Sequence, residues 1–242
     1  NEVPVQLLQT VIAKSENGKF QIWTSPDTKL TYTTTYIFDN VSRIYDFLKD
    51  QTDYEPDVKT IGIHIRPDRY VGGRQFQNER GIWFSDSPGS CQPGGWCHEI
   101  NHFYTPHVPS WFGHPILRVN DTFITIPKLF PEYPDYNANG GPGARDRRMA
   151  AEKFLRGNPL RVNDPHVIAN ALYLKYGDQL LSKFYHAVSA DLKSGKLILN
   201  DGVLSPMQLV QYISLAAGED ATPVFKRLEG FPKDVEAKYR GI

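Results

Sequence analysis

Nothing in this 242-residue chain restricts its folding more than the pentapeptide His98-Glu99-Ile100-Asn101-His102. Residues four apart lie on one face of an α-helix, so a helix here lets both imidazoles converge on a single metal ion. A carboxylate one position after the first histidine then stands beside the metal, where hydrolytic chemistry needs a general base. The competing reading is a helix with two surface histidines and a salt-bridged glutamate, which needs no metal. The surroundings, Gly95-Trp96-Cys97 before and Phe103-Tyr104 after, suit a buried helix at a metal site.

Charge narrows the partners. Lys and Arg number 27 against 27 Asp and Glu, so no polyanion such as nucleic acid is implied. The Arg145-Asp146-Arg147-Arg148 run follows a glycine-rich stretch and reads as a solvated loop end. No apolar stretch reaches the length of a membrane span, and no signal-type segment begins at Asn1. The expectation is an exported protein whose leader or upstream domain has been cut away. Two cysteines, Cys91 and Cys97, bracket Gln-Pro-Gly-Gly-Trp just before the motif. That spacing suits a disulfide stiffening the lead-in, with free thiols as the cytosolic alternative. The sequon Asn40-Val41-Ser42 also points to export.

The pattern along the chain predicts an α+β fold in two lobes: a β-rich one over 1–110 ending in the motif helix, and a mainly helical one over 111–242. Alternation over residues 3–35, as at 20–24 and 30–33, predicts strands. Ile37, Val41, Ile44, Tyr45 and Leu48 stand at helical spacing. Residues 60–65 and 81–85 read as strands, with His64 packed or at an edge rather than a ligand. Pro88-Gly89 and Pro93-Gly94-Gly95 read as turns before the motif helix. Asp164-Pro165 opens a helix through Tyr176 that Gly177 closes or bends, and further helices cover 178–193 and 205–217. The glycine-rich stretch 137–143 lacks the ending of a phosphate cradle and reads as a connector.

A catalytic zinc takes three protein ligands and keeps one position open. The third-ligand candidates downstream are His107, His114, Asp121, Glu132 and Glu152. His107 follows His102 by five residues, beyond the helix-ending Pro106. The metzincin spacing of a third histidine is absent.

Around Asp121 the sequence resembles the gluzincin metallopeptidases, the aminopeptidase-N-like and thermolysin-like group. Eighteen residues separate His102 from Asp121, and Leu117-Arg118-Val119-Asn120-Asp121-Thr122-Phe123-Ile124-Thr125 matches the Asn, the acid, the Phe and the Thr of that family's ligand segment. Trp111-Phe112-Gly113 is similar to a displaced Trp-Phe-Gly of the same branch. Segments 205–209 and 217–225 are similar to its helical lobe and to the enhancin-like, mucin-acting ending. The resemblance spans about residues 60–230. It implies Zn²⁺ held by His98, His102 and Asp121, with Glu99 as the general base. It also implies an oxyanion donor from a later helix, where His166, Tyr173 and Tyr176 are available and His166 opens its helix.

Two departures shape the expected substrate. The acid is Asp rather than Glu, still an ordinary zinc ligand but one methylene shorter. The amine-anchoring Gly-Ala-Met-Glu-Asn strand of the aminopeptidases is replaced by Gln75-Phe76-Gln77-Asn78-Glu79-Arg80-Gly81. The expected activity is therefore hydrolysis of peptides or glycoproteins, by an endopeptidase as readily as by an exopeptidase. The alternative is an inactive metal-binding or carbohydrate- or protein-recognition module of the same ancestry. A third class, a helical interaction module with a fortuitous motif, predicts no metal at all.

Overall fold

The computed structural model describes residues 9–56, 58–67, 74–76, 81–86, 93–104, 110–111, 114–115, 129–130, 141–161 and 165–235. Within them the chain is α+β, with one mixed five-stranded sheet, two two-stranded sheets and seven α-helices. It divides into two compact units, 1–46 with 56–103, and 47–55 with 104–242.

In the first unit the sheet runs in the order β1 (Thr10–Lys14), β2 (Phe20–Thr24), β3 (Ile61–Arg66), β5 (Gly81–Ser85), β4 (Arg74–Phe76). The outer pairs are antiparallel and the central pairs β2–β3 and β3–β5 are parallel. A parallel pair needs a crossover, and α1 (Thr34–Thr52) supplies it between β2 and β3. One sheet face carries Phe20, Ile22, Ile61, Ile63, Ile65, Ile82 and Phe84, all at most 1% exposed. Onto it α1 lays the Ile37, Val41, Ile44 stripe, and Tyr45 meets Phe20 edge-on at 5.8 Å.

The other face is built differently. The register aligns Trp23 with His64 and His64 with Trp83, so three rings stack across three strands. Ring centroids lie 5.6 Å apart for Trp23–His64 and 4.1 Å for His64–Trp83, nearly parallel in both cases. Gly62 and Gly81 make room for the imidazole, because a Cβ on either would come within 2.6 to 3.0 Å of it. His64 Nδ1 is 2.8 Å from Gln9 Oε1. Burial, with the Arg66 charge adding to it, pushes the imidazole down to about 4. His64 is thus a packed histidine.

Three local expectations are corrected. Residues 30–33 form no strand. Thr31 Oγ1 donates to Asp86 O and the Thr33 side chain accepts from Tyr36 N, so these threonines serve a lead-in and a helix start rather than a ladder. Asn40 of the sequon is 5% exposed on α1, its Nδ2 donating to Tyr36 O, so folding and a glycan at that side chain exclude each other. The arginine run lies on a helix, not a loop end: α3 (Gly141–Leu155) includes Gly141 and Gly143 of the expected connector, with Pro142 near its start, where a missing N–H costs little.

The second unit is helical. α3 packs on α4 (Pro165–Tyr176), and α5 (Leu180–Lys193) on α6 (Pro206–Ala217), followed by the short α7 (Thr222–Lys226). Leu180, Leu181, Phe184, Leu209, Ile213, Phe225 and Leu228 are each at most 1% exposed and form its core. Residues 47–55, the end of α1 and the three residues after it, belong to this unit, and α5 donates to three of their oxygens. His186 Nε2 donates to Asp50 O at 2.8 Å, Ser189 Oγ to Thr52 O at 3.0 Å, and Lys193 Nζ to Asp53 Oδ2 at 2.8 Å. The Lys193 hydrogen bond holds the Asp53 carboxyl below the usual range. Gly177, at φ +89, ends α4 as the sequence predicts. No described helix is long and apolar enough to cross a membrane.

Candidate metal centre

The motif sits on α2 (Pro93–Asn101), which passes directly into a 3-10 turn over His102–Tyr104. Pro93, Gly94 and Gly95 form the helix's first turn rather than the expected turn before it. Proline suits a first helical position because its missing N–H has no helical partner there anyway. Two glycines in nine residues make α2 a weak helix by propensity. Packing therefore has to hold it, and Trp96, Cys97, Glu99, Ile100 and Asn101 are all buried.

The structure brings the three motif side chains together. The His98 and His102 rings lie 5.4 Å apart, steeply inclined at 80°. That separation puts nitrogens of both rings within reach of one metal ion. Glu99 is 4% exposed, and its Oε1 lies 4.0 Å from His98 Nε2. The His98 side chain is 33% exposed, so this edge of the cluster opens to solvent. The two imidazoles are nitrogen donors of the kind zinc takes, and the buried carboxylate lies beside them as a base rather than as a ligand.

The remaining candidates divide by where they fall. Asp121, His107 and Glu132 lie outside the described residues, as does Cys91, with which Cys97 was expected to pair. His114 is placed only as backbone, in the two-residue strand β7 (His114–Pro115) beside β6 (Ser110–Trp111), and His166 only as backbone in the first turn of α4. Glu152 is a surface residue of α3, paired with Arg148 one turn earlier at 3.2 Å, so it is already committed. Tyr176 Oη accepts from Lys175 Nζ at 2.8 Å, and the same ammonium binds Glu219 at 2.9 Å. Burial first, and the Asp178 charge second, push the Tyr173 phenol up, which favours its proton-donating form. Among the described residues no three His, Cys, Asp or Glu side chains gather as a complete metal cluster.

Sequence reasoning missed what stands behind the motif. Trp96 is fully buried, and the Tyr32 and Tyr36 rings meet it edge-on at 5.7 and 6.2 Å. The available signal was the Trp96–Ile100 spacing, an apolar i, i+4 pair on the side of the helix opposite His98 and His102.

No protein-family model matches the sequence, and no curated protein does. Among solved structures, the fold is similar to an M1 zinc metallopeptidase from Deinococcus radiodurans at TM-score 0.49 and 17% identity, over 94% of this chain and 53% of that one. A point mutant of the same enzyme gives TM-score 0.49 and 17% identity over 92% and 51%. The chain thus spans about half the length of these structures. So low a score and identity lend no weight to any chemistry, which rests on the geometry of α2.

Proposed function

We propose that this chain carries the catalytic centre of a zinc-dependent metallopeptidase acting on peptides or glycoproteins. The carrying observation is the pair of inclined imidazoles 5.4 Å apart with the buried Glu99 carboxylate next to them. A purely structural zinc fills its positions with protein ligands and has no use for a carboxylate base. His98 and His102 would hold the ion, with Asp121 proposed as the third ligand from its spacing. When bound there, zinc supplies Lewis acidity that polarises a carbonyl and makes water more acidic.

Glu99 then takes the proton from water as it attacks the peptide carbonyl, and passes that proton to the leaving amine. Its position one residue after His98 keeps it beside the reacting water without making it a ligand. His166 is proposed as the donor to the oxygen that gains charge, from the start of α4. Export, and a Cys91–Cys97 bridge that steadies the approach to α2, belong to the same proposal.

The test is elemental analysis of protein purified without added metal, together with cleavage of a denatured protein mixture. About one zinc per chain with chelator-sensitive cleavage is expected. Well under one equivalent, not raised by added zinc, rejects the enzyme. Zinc bound without any cleavage favours the recognition module instead.

A further inference from the structure

The back of α2 rests on an aromatic wedge. Tyr32 and Tyr36 stack at 4.9 Å with their planes 22° apart, from the lead-in and the first turn of α1. Each meets the Trp96 indole edge-on, at 73° and 63°. Such inclined pairs are directional, because the positive ring edge seeks the negative ring face. Trp96 is 0% exposed, and among the described residues its buried Nε1 makes no hydrogen bond. Among the described residues, then, packing against these rings orients the indole, not a hydrogen bond.

That packing sits two residues before His98 on a short helix whose first turn contains two glycines. A helix so weak in itself takes its rotation and tilt from what it is packed against. On the helical wheel, Trp96 and Ile100 point one way while His98 and His102 point the other. Loss of that packing would let so weak a helix unwind, and the i, i+4 face that brings both imidazoles to one point would go with it. We propose that Tyr32 and Tyr36 are positioning residues for the metal centre, acting through Trp96 to hold α2 where His98 and His102 serve one ion. The proposal rests on the zinc reading above, and its test fails separately from that reading.

Zinc affinity is measured by competition with a chromophoric chelator, well below the melting temperature, for wild type, Tyr36→Ala, Tyr36→Phe and Ile44→Val. The last variant weakens α1 on its sheet side and leaves the wedge intact. Tyr36→Ala should lose zinc affinity by on the order of tenfold, as when supporting contacts around a ligand are removed. Tyr36→Phe keeps the ring and should bind like wild type. Ile44→Val should also bind like wild type even though its apoprotein melts lower. Unchanged affinity in Tyr36→Ala, or an equal loss in Ile44→Val, overturns the positioning role. If wild type takes up no zinc, the zinc reading is what fails, and amide exchange of residues 96–100 in the apoprotein decides the wedge. Tyr36→Ala should then speed that exchange about tenfold while Ile44→Val does not, and equal rates overturn the proposal.

Discussion

Helices α2 and α6 bury similar apolar side chains, yet they are held by opposite means. α6 is specified locally. Ser205 accepts from Gln208 N at 3.2 Å while Gln208 Oε1 accepts from Ser205 N at 2.8 Å, a reciprocal capping box, and Pro206 follows the cap. Gly218 closes the helix at φ +72, where a side chain would be strained. α2 opens on Pro-Gly-Gly, runs nine residues and breaks into a 3-10 turn at the second histidine. What holds it is burial of Trp96 and Ile100. The helix that carries the histidine motif is the one of the two that its own sequence supports less, so its geometry depends on its neighbours.

The largest effect should come from the chemistry itself. Glu99→Gln should cut hydrolysis by about 10²–10⁴-fold with zinc content unchanged, since the amide cannot take the proton. Asp121→Ala should instead lower the zinc content. If Asp121→Ala binds zinc as tightly as wild type while His114→Ala does not, the third ligand is misassigned. Metal analysis and initial rates on the same preparations separate these outcomes.

The comparison of helices is broken or sharpened by cutting one anchor from each. Trp96→Ala should cost about 3–5 kcal/mol and Leu209→Ala about 2–5 kcal/mol by urea unfolding of the apoprotein. Folded Leu209→Ala should bind zinc normally, whereas folded Trp96→Ala should bind it weakly. Equal zinc affinity in the two variants would mean that α2 is not dependent on its packing after all.

Smaller effects probe the local devices. Ser205→Ala should remove about 1 kcal/mol through loss of the cap, leaving zinc binding alone, and the urea midpoint reads it directly. A similarly small effect belongs to the ring stack of the first unit. The folded His64 imidazole titrates near 4 against 6.5 for an ordinary one, so between those pH values the unfolded chain takes up a proton that the folded chain refuses. Its contribution is therefore intact above pH 6.5 and is lost as pH falls towards 4, on the order of 1 kcal/mol once solvent screening is allowed for. Urea midpoints at pH 7.5 and about 4.5 should fall less for His64→Phe than for wild type. An equal fall in both would assign the acid sensitivity to other groups.

Much of the fold was legible where one residue type has one use. The apolar runs at 61–65 and 81–85 are strands, the Ile37 to Leu48 spacing is a helix, and Gly177 is a stop. Reading failed where a residue has two uses. Thr31 and Thr33 have β-branched side chains that suit a strand, but their hydroxyls bond Asp86 and the start of α1. Glycine marks loops by propensity, yet Gly94, Gly95, Gly141 and Gly143 lie in helical first turns. Propensity differences of about 1 kcal/mol per residue yield readily to the packing of the rest of the helix.

By itself the sequence determined the motif: two histidines four places apart share one face of a helix, with a glutamate next to the first, because covalent spacing and helical pitch are fixed by local geometry. Only the tertiary structure decided how that face is held. The inclined imidazoles, the burial of Glu99, the tyrosine pair behind Trp96 and the two glycines that admit His64 between Trp23 and Trp83 join residues distant along the chain. Such contacts come from sheet register and core packing, which close only when strands and helices far apart in sequence meet.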